Sequence, residues 1–298
     1  MFVANKMFLG AIAGALLSST PLFACTDRAA AEAAIAASDF ETAQALHGRV
    51  AVDPECDDAF RLWLDEALAR HFFADGLQAL SAEEKRSSIE TSIQFFPHWR
   101  SYTALADLAA ADGNHAEEAR HLQAALNQMN DGPEHHGFTE AEAQDVLDRA
   151  ATAMLLSDEV VAPPRTRSGA PGGVFIESLR GFAVQEVVLA IEYDFDSAQM
   201  TAKGKEYADQ LLSYLLERRP DAIALEGHTD PVGADSYNLA LSLQRAEALR
   251  AYLLDAGFGG EITVTGKGET DVPAAPPGIT PDSLEHHQIA RRVVLVRG

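Results

Sequence analysis

Positive charge is scarce in this sequence. It has 23 Lys and Arg residues against 45 Asp and Glu, which leaves a formal net charge of −22. Such a chain repels phosphate backbones and anionic lipid surfaces, so we expect no nucleic-acid partner. Long hydrophobic runs are scarce as well. The apolar run Met7 to Leu17 is shorter than the ~20 residues of a membrane-spanning helix, and no later segment qualifies, so we expect no transmembrane span.

The short apolar run nevertheless carries information. Lys6 is the one charged residue before it, and small and helix-breaking residues lead from it to Ala24 and Cys25. A positive start, a short apolar stretch and a small residue before the cleavage point are typical of a secretory signal peptide. We therefore predict that residues 1–24 are a signal peptide and that the mature protein is exported.

Cysteine is nearly absent, since Cys25 and Cys56 are the two in the chain. A disulfide between them uses both thiols and suits an oxidising compartment. The segment Leu22 to Cys25 also partly resembles a lipoprotein box, in which Cys25 would be lipidated after cleavage. Phe23 departs from the small or β-branched residue that is usual there. We predict the disulfide, and a lipid anchor at Cys25 is the alternative.

Apolar residues at helical spacing fill the first half of the chain, and residues 25–157 are predicted to form a helical domain. A capping-box pattern, Ser81 with Glu84, predicts a helix start. Asp75-Gly76 is among the predicted helix breaks. Two segments share a pattern, residues 38–43 followed by Asp53-Pro54, and Trp99 with Tyr102 followed by residues 113–115. They resemble a divergent tetratricopeptide array of helical hairpins, in which the aromatic residues form the core or a protein-binding groove.

A Pro- and Gly-containing stretch, residues 158–175, is predicted to be a linker. Strands and helices alternate after it, which predicts an α+β two-layer sandwich over residues 176–298. The predicted elements are strands at 187–195, 222–226, 262–265 and 291–296, helices at 201–218 and 235–256, and a Pro-rich loop at 272–281.

One motif in this domain is more informative than the order of its elements. Gly227-His228-Thr229-Asp230 is followed at fixed offsets by Tyr237-Asn238, Leu241-Ser242 and Arg245-Ala246. This pattern closely resembles the signature of OmpA-like domains, which also occur in Pal lipoproteins and flagellar stator proteins. The resemblance runs from about Val184 to Arg297. It implies non-covalent binding of peptidoglycan in the envelope of a Gram-negative cell.

The spacing of the motif fits an ionic ligand. Asn238 and Arg245 are seven residues apart on a predicted helix, so they lie on one face of it. Asp230 lies in the loop just before that helix, whose N-terminus favours anionic groups. An acid and an arginine at one mouth can hold a zwitterion, and the stem peptide carries meso-diaminopimelate, whose free end is zwitterionic.

The resemblance also implies roles for single residues. Asp230 would pair with the diaminopimelate ammonium, and Arg245 would hold its carboxylate. Asn238 and Arg291 match family positions that add hydrogen bonds around the ligand. Thr229, Asp196 and Arg292 are candidate supporting residues, and Arg292 is expected to point away from Arg291 because strand residues alternate.

Two positions depart from the family pattern. Ala290 stands where the family usually has Asn, and Val232 stands where Thr is frequent in the loop after Asp230. Both departures bear on the affinity and the preference for ligand. Neither removes the Asp230 and Arg245 pair.

Three classes of function remain after these observations. The first is a periplasmic tether to the cell wall, whose helical region engages another envelope protein. The second is a Pal-like lipoprotein that links the outer membrane to the wall. The third, a wall-active enzyme, is not expected, because the sequence lacks a zinc-ligand cluster, a paired-carboxylate motif and a nucleophile elbow. No cofactor is expected, and no metal site, since adjacent histidines such as His286-His287 rarely chelate one ion.

Overall fold

A computed structural model of the protein describes residues 25–133 and 136–297, and the predicted signal peptide lies outside them. The chain divides into two compact units, Met1–Leu68 and Ala69–Gly298. In the described residues, no helix has both the length and the apolar character needed to cross a membrane.

The first half of the described chain is helical, as the apolar spacing predicts. Its helices are α1 (Arg28–Ala36), α2 (Phe40–Val52), α3 (Asp58–Gln78), α4 (Ala82–Phe95), α5 (Trp99–Ala111), α6 (His115–Asp131) and α7 (Glu140–Leu156). The predicted capping box is present, since the Ser81 side chain accepts a hydrogen bond from the Glu84 N–H. The tetratricopeptide-like arrangement stays a prediction.

The predicted break at Asp75-Gly76 is wrong, because α3 continues through it. A Cβ at Gly76 would lie 2.8 Å from the Ile89 side chain and 3.2 Å from the Lys85 carbonyl oxygen. The glycine therefore allows α3 and α4 to approach closely, and this packing outweighs the low helix propensity of glycine.

In the first unit, Cys25 and Cys56 form the predicted disulfide, with their Cα atoms 4.5 Å apart. The Arg49 guanidinium donates hydrogen bonds to both carboxylate oxygens of Asp27, which joins α2 to the residue before α1. The segment before α1 is thus tied covalently to the segment between α2 and α3.

The C-terminal part is the expected two-layer α+β fold. A hairpin, β1 (Ser178–Leu179) and β2 (Phe182–Ala183), precedes a four-stranded sheet. The sheet and its helices are β3 (Glu186–Leu189), α8 (Ala202–Arg218), β4 (Ala222–His228), α9 (Asp235–Asp255), β5 (Glu261–Gly268), α10 (Leu284–Ala290) and β6 (Val293–Arg297). The strand order is β3-β6-β4-β5, in which β4 and β5 are parallel and the other neighbours are antiparallel.

Two elements differ from the sequence prediction. The first strand ends at Leu189 and not at Phe195, because Leu189 pairs with Val293, the first residue of β6, and no partner strand extends further. Helix α10 lies between the predicted Pro-rich loop, which ends at 281, and the predicted last strand, which begins at 291, where no element was predicted. Its start is marked by Ser283, whose side chain accepts a hydrogen bond from the His286 N–H.

The predicted linker is packed against α6. The Gly173 N–H donates to the Asn127 side-chain oxygen over 2.8 Å, and the Asn127 amide nitrogen donates to the Arg165 carbonyl over 2.9 Å. Phe175 is buried, at 3% exposure. The segment is therefore ordered and packed against α6. The predicted domain boundaries stay predictions.

The end of α7 is held by two side chains from the sandwich. Gln288 of α10 donates from its amide nitrogen to the Leu155 carbonyl over 2.7 Å. Lys203 of α8 donates to the carbonyl of Ser157. Carbonyls at a helix C-terminus lack partners within the helix, so these donors cap α7.

Candidate functional site

A cleft of about 540 Å³ opens beside the C-terminal end of β4. The loop after β3, the loop between β4 and α9, α9 itself and α10 all contribute to its wall. Six of the predicted site residues line it, namely Asp196, Thr229, Asp230, Asn238, Arg245 and Arg291. The structure thus brings together residues that are up to 95 positions apart in sequence, from Asp196 to Arg291.

Helix α9 is held close to the sheet by glycines. A Cβ at Gly227 would lie 2.1 Å from the Ser242 carbonyl oxygen, and one at Gly266 would lie 2.7 Å from that of Leu239. The Ser242 hydroxyl also accepts a hydrogen bond from the Gly268 N–H over 2.9 Å. This close approach fixes the helix that carries Asn238 and Arg245.

Arg245 is a nearly buried cation, with 6% of its surface exposed. Its Nε donates to the Ser197 carbonyl over 3.0 Å, and its guanidinium lies 5.3 Å from the centre of the Tyr193 ring. No carboxylate among the described residues forms an ion pair with it. Burial lowers the pKa of Arg245, but a guanidinium remains charged at neutral pH. Arg245 is therefore a buried cation at the cleft that forms no direct ion pair with a described carboxylate.

Asp230 is paired with a different arginine. Its Oδ2 accepts a hydrogen bond from the Arg291 guanidinium over 2.6 Å, and its Oδ1 accepts from the Val232 N–H over 3.0 Å. The Asp230 side chain is 15% exposed, while that of Arg291 is 41% exposed. The acid is thus oriented at the cleft by the more solvated of the two arginines.

Asn238 uses its amide nitrogen within the protein. This nitrogen donates to the carbonyl oxygens of Asp230 and Val232, at 3.4 and 3.3 Å, and to the Glu269 carboxylate. The residue is 3% exposed. Its position favours holding the Asp230 loop, whereas the resemblance implied a direct hydrogen bond to ligand.

His228 and Thr229 are buried beside the cleft at 2% and 3% exposure. Both ring nitrogens of His228 and the Thr229 hydroxyl lack a hydrogen-bond partner among the described residues. Burial, with the nearby positive charge of Arg292, lowers the pKa of His228 from 6.5 to about 4. His228 is therefore neutral at physiological pH and poorly suited to bind an anion.

Arg292 does not line the ligand cleft. It is 9% exposed, and its guanidinium donates to a carboxylate oxygen of Asp271 over 3.0 Å. It borders a second cleft, together with α7 and residues 273–280 of the Pro-rich loop. That loop is absent from the lining of the ligand cleft in the described structure.

The two departures from the family pattern fall in different surroundings. Ala290 is fully buried and is not among the residues that line the cleft. Val232 lines the cleft and is 64% exposed. Val232 is therefore the departure placed to meet a ligand.

Several lining residues were not predicted as site residues. Tyr193, Lys203, Tyr237 and Gln288 all face the cleft. Tyr237 lies inside the recognised motif, and its hydroxyl donates to the Asp196 carboxylate. Lys203 and Gln288 carry no sequence signal, because their positions depend on how α8 and α10 pack against the end of α7.

One group of potential metal ligands occurs in the described parts of the chain, Cys25 with Asp53 and Cys56. Both sulfur atoms are in the disulfide, so neither offers the thiolate that a metal requires.

Comparison with known proteins assigns the domain that contains this cleft. Residues 192–280 match the model of the OmpA family. This part of the chain is an OmpA-like domain. The predicted resemblance is thereby confirmed for the C-terminal half, and the N-terminal half is helical as expected.

The relatives match this chain over part of its length. Outer membrane protein A of Shimwellia blattae is 35% identical over 82 residues, which are 26% of this chain and 34% of that protein. Outer membrane porin F of Pseudomonas aeruginosa is 36% identical over 107 residues, 34% of this chain and 30% of that protein. The chain thus spans about a third of the length of these relatives.

Among solved structures, the peptidoglycan-associated lipoprotein from Burkholderia pseudomallei is 31% identical, and the match covers 38% of this chain and 89% of that protein with a TM-score of 0.31.

Proposed function

We propose that the OmpA-like domain binds peptidoglycan stem peptides non-covalently, with the zwitterionic end of meso-diaminopimelate in the cleft. The observation that carries this proposal is Arg245, a buried guanidinium that forms no direct ion pair with a described carboxylate and lies in the same cleft as Asp230. A buried charge without a partner is costly, and a ligand carboxylate removes that cost.

Each side of the zwitterion has a matching group. The ligand carboxylate pairs with the Arg245 guanidinium, and the ligand ammonium pairs with the Asp230 carboxylate. The ammonium either shares this carboxylate with Arg291 or displaces Arg291 from it. Asn238 holds the backbone of the Asp230 loop. The released Arg291 is then available to the ligand carboxylate. Every step is a binding step, and no bond is made or broken.

We propose that the protein acts in the periplasm as a tether to the cell wall. The names of its relatives, which are outer-membrane proteins, support a location in the envelope. The alternative, an outer-membrane lipoprotein anchored at Cys25, requires a sulfur atom that the disulfide occupies. An envelope protein bound by the helical region stays a prediction.

The test is sedimentation of the mature protein with purified diaminopimelate-type sacculi. Asp230→Ala and Arg245→Ala should each lower affinity roughly tenfold to a hundredfold, the value of one charge-assisted hydrogen bond. Asp255→Ala and Arg250→Ala remove the same charges from exposed positions of α9 and should bind like the wild type. A wild type that stays in the supernatant, or site variants that sediment like the controls, would refute the proposal.

A further inference from the structure

Large apolar side chains surround the mouth of the charged cleft. The five most exposed large apolar residues in the described chain include three that line this cleft, Phe195 at 100%, Leu284 at 82% and Val232 at 64%. Tyr237, at 48%, lines it as well. We call these four residues the apolar rim. Exposed apolar side chains around a charged cleft point to a ligand that carries apolar groups as well as charges.

The apolar rim is carried by segments that are held in place. The Tyr237 hydroxyl donates to Asp196, which ties α9 to the loop that bears Phe195. Arg245 donates to Ser197 of the same loop. Leu284 is the first residue of α10, directly after the capping residue Ser283. The apolar rim is therefore exposed although the segments that carry it are ordered.

The rim and the charged centre belong to one cleft, so one ligand has to satisfy both. It must offer a zwitterion to Arg245 and Asp230, and small apolar groups a few bonds away. An anionic membrane surface is a poor occupant, because the chain carries a net charge of −22. A stem peptide fits, since an alanine follows its diamino acid.

We propose that the apolar rim is a subsite for the methyl group of the D-alanine that follows diaminopimelate in the stem peptide. The inference rests on the proposed function and adds a specificity to it. Val232 supports it, because the residue frequent at this position is Thr, and valine replaces a hydroxyl by a methyl at the rim.

The test compares two soluble tetrapeptides by calorimetry, one ending in D-Ala and one ending in Gly after meso-diaminopimelate. They differ by a single methyl group, and their charges are the same. The wild type should bind the D-Ala form about fourfold more tightly, the value of one buried methyl. Phe195→Ser and Leu284→Ser should bring this ratio close to one while both peptides still bind. Leu80→Ser, at a leucine that is 101% exposed and does not line the cleft, should keep the wild-type ratio.

The outcomes separate the two proposals. If the wild type binds neither peptide, the proposed function fails. If it binds both equally, or if the rim variants keep the fourfold preference, the subsite is refuted and the diaminopimelate site stands. Rim variants that keep the ratio but lose self-association or vesicle binding would also refute the subsite, and would assign the rim to another partner.

Discussion

Burial acts on Arg245 and His228 in the same direction and with different results. It lowers the pKa of both, because water no longer stabilises the charged form. The guanidinium starts from a far higher pKa and stays charged, so burial leaves a cation that a ligand can neutralise. The imidazole starts from 6.5 and becomes neutral, so it packs beside the cleft without competing for the ligand.

The depressed pKa of His228 makes stability depend on pH. The folded imidazole titrates near 4 and the unfolded one near 6.5, so between these values the unfolded chain binds more protons. His228 contributes stability that is complete above pH 6.5 and is lost as the pH falls toward 4. Between pH 7 and pH 5 this loss should be about 2 kcal/mol.

Urea unfolding at pH 7 and pH 5 measures the effect. Carboxylates titrate in both proteins, so the comparison is between the wild-type loss and that of His228→Gln, which should be about 2 kcal/mol smaller. An equal loss in the two proteins would contradict the prediction. NMR titration of the wild-type imidazoles provides a check that needs no variant, and one of them should titrate near 4.

At the same scale, sequence motifs predicted much of the candidate site. The spacing of Asp230, Asn238 and Arg245 placed them at one cleft because a strand end and a helix face have fixed geometry. The pairing of Asp230 with Arg291 was not predictable, since Arg291 arrives from a different part of the fold. Which of two arginines approaches an acid depends on tertiary packing that no local pattern encodes.

The element that positions the site is α9, and its approach to the sheet depends on residues without side chains. Gly227 lies so close to the Ser242 carbonyl that a Cβ at this position would clash with the carbonyl oxygen. Backbone cannot yield as a flexible side chain does, so a larger residue there must move α9 as a whole.

Gly227→Ala should therefore lower the free energy of unfolding by about 1–3 kcal/mol, through overpacking. It should also weaken ligand binding, because Arg245 moves with α9. Gly259→Ala is the matched control, since a Cβ there meets nothing within 4 Å. Urea unfolding compares the two variants, and equal stabilities would show that α9 has room to adjust.

The elements themselves were predicted to differing degrees. Helices α8 and α9 begin and end within a residue of the predicted bounds, because capping and apolar spacing are local signals. The length of β3 was overestimated, since strand length depends on the partner strand as well as on β-propensity. Helix α10 is seven residues long and shows little apolar periodicity, which left only the Ser283 cap as a signal.

For the molecule as a whole, the disulfide should dominate the stability of the first unit. Cys25 and Cys56 are 31 residues apart, and closing a loop of this size should contribute about 3–4 kcal/mol by restricting the unfolded chain. Thermal unfolding followed by circular dichroism should show an earlier loss of helix in reductant, and the same loss in a Cys25→Ala, Cys56→Ala double variant without reductant. Reductant should have no effect on the double variant. Superimposable melts of oxidised and reduced wild type would exclude a stabilising role.

The caps on the end of α7 have a mechanical consequence. Gln288 and Lys203, which hold the last carbonyls of α7 and of the residue after it, both line the cleft. If the protein is the cell-wall tether proposed above, tension applied to α7 reaches the sandwich through these two side chains as well as through the backbone. Gln288 stands three residues before Arg291, so the pull arrives beside the ion pair that orients Asp230. In that role, a load on the helical region would act close to the residues that hold the wall, which a slack linker would not allow.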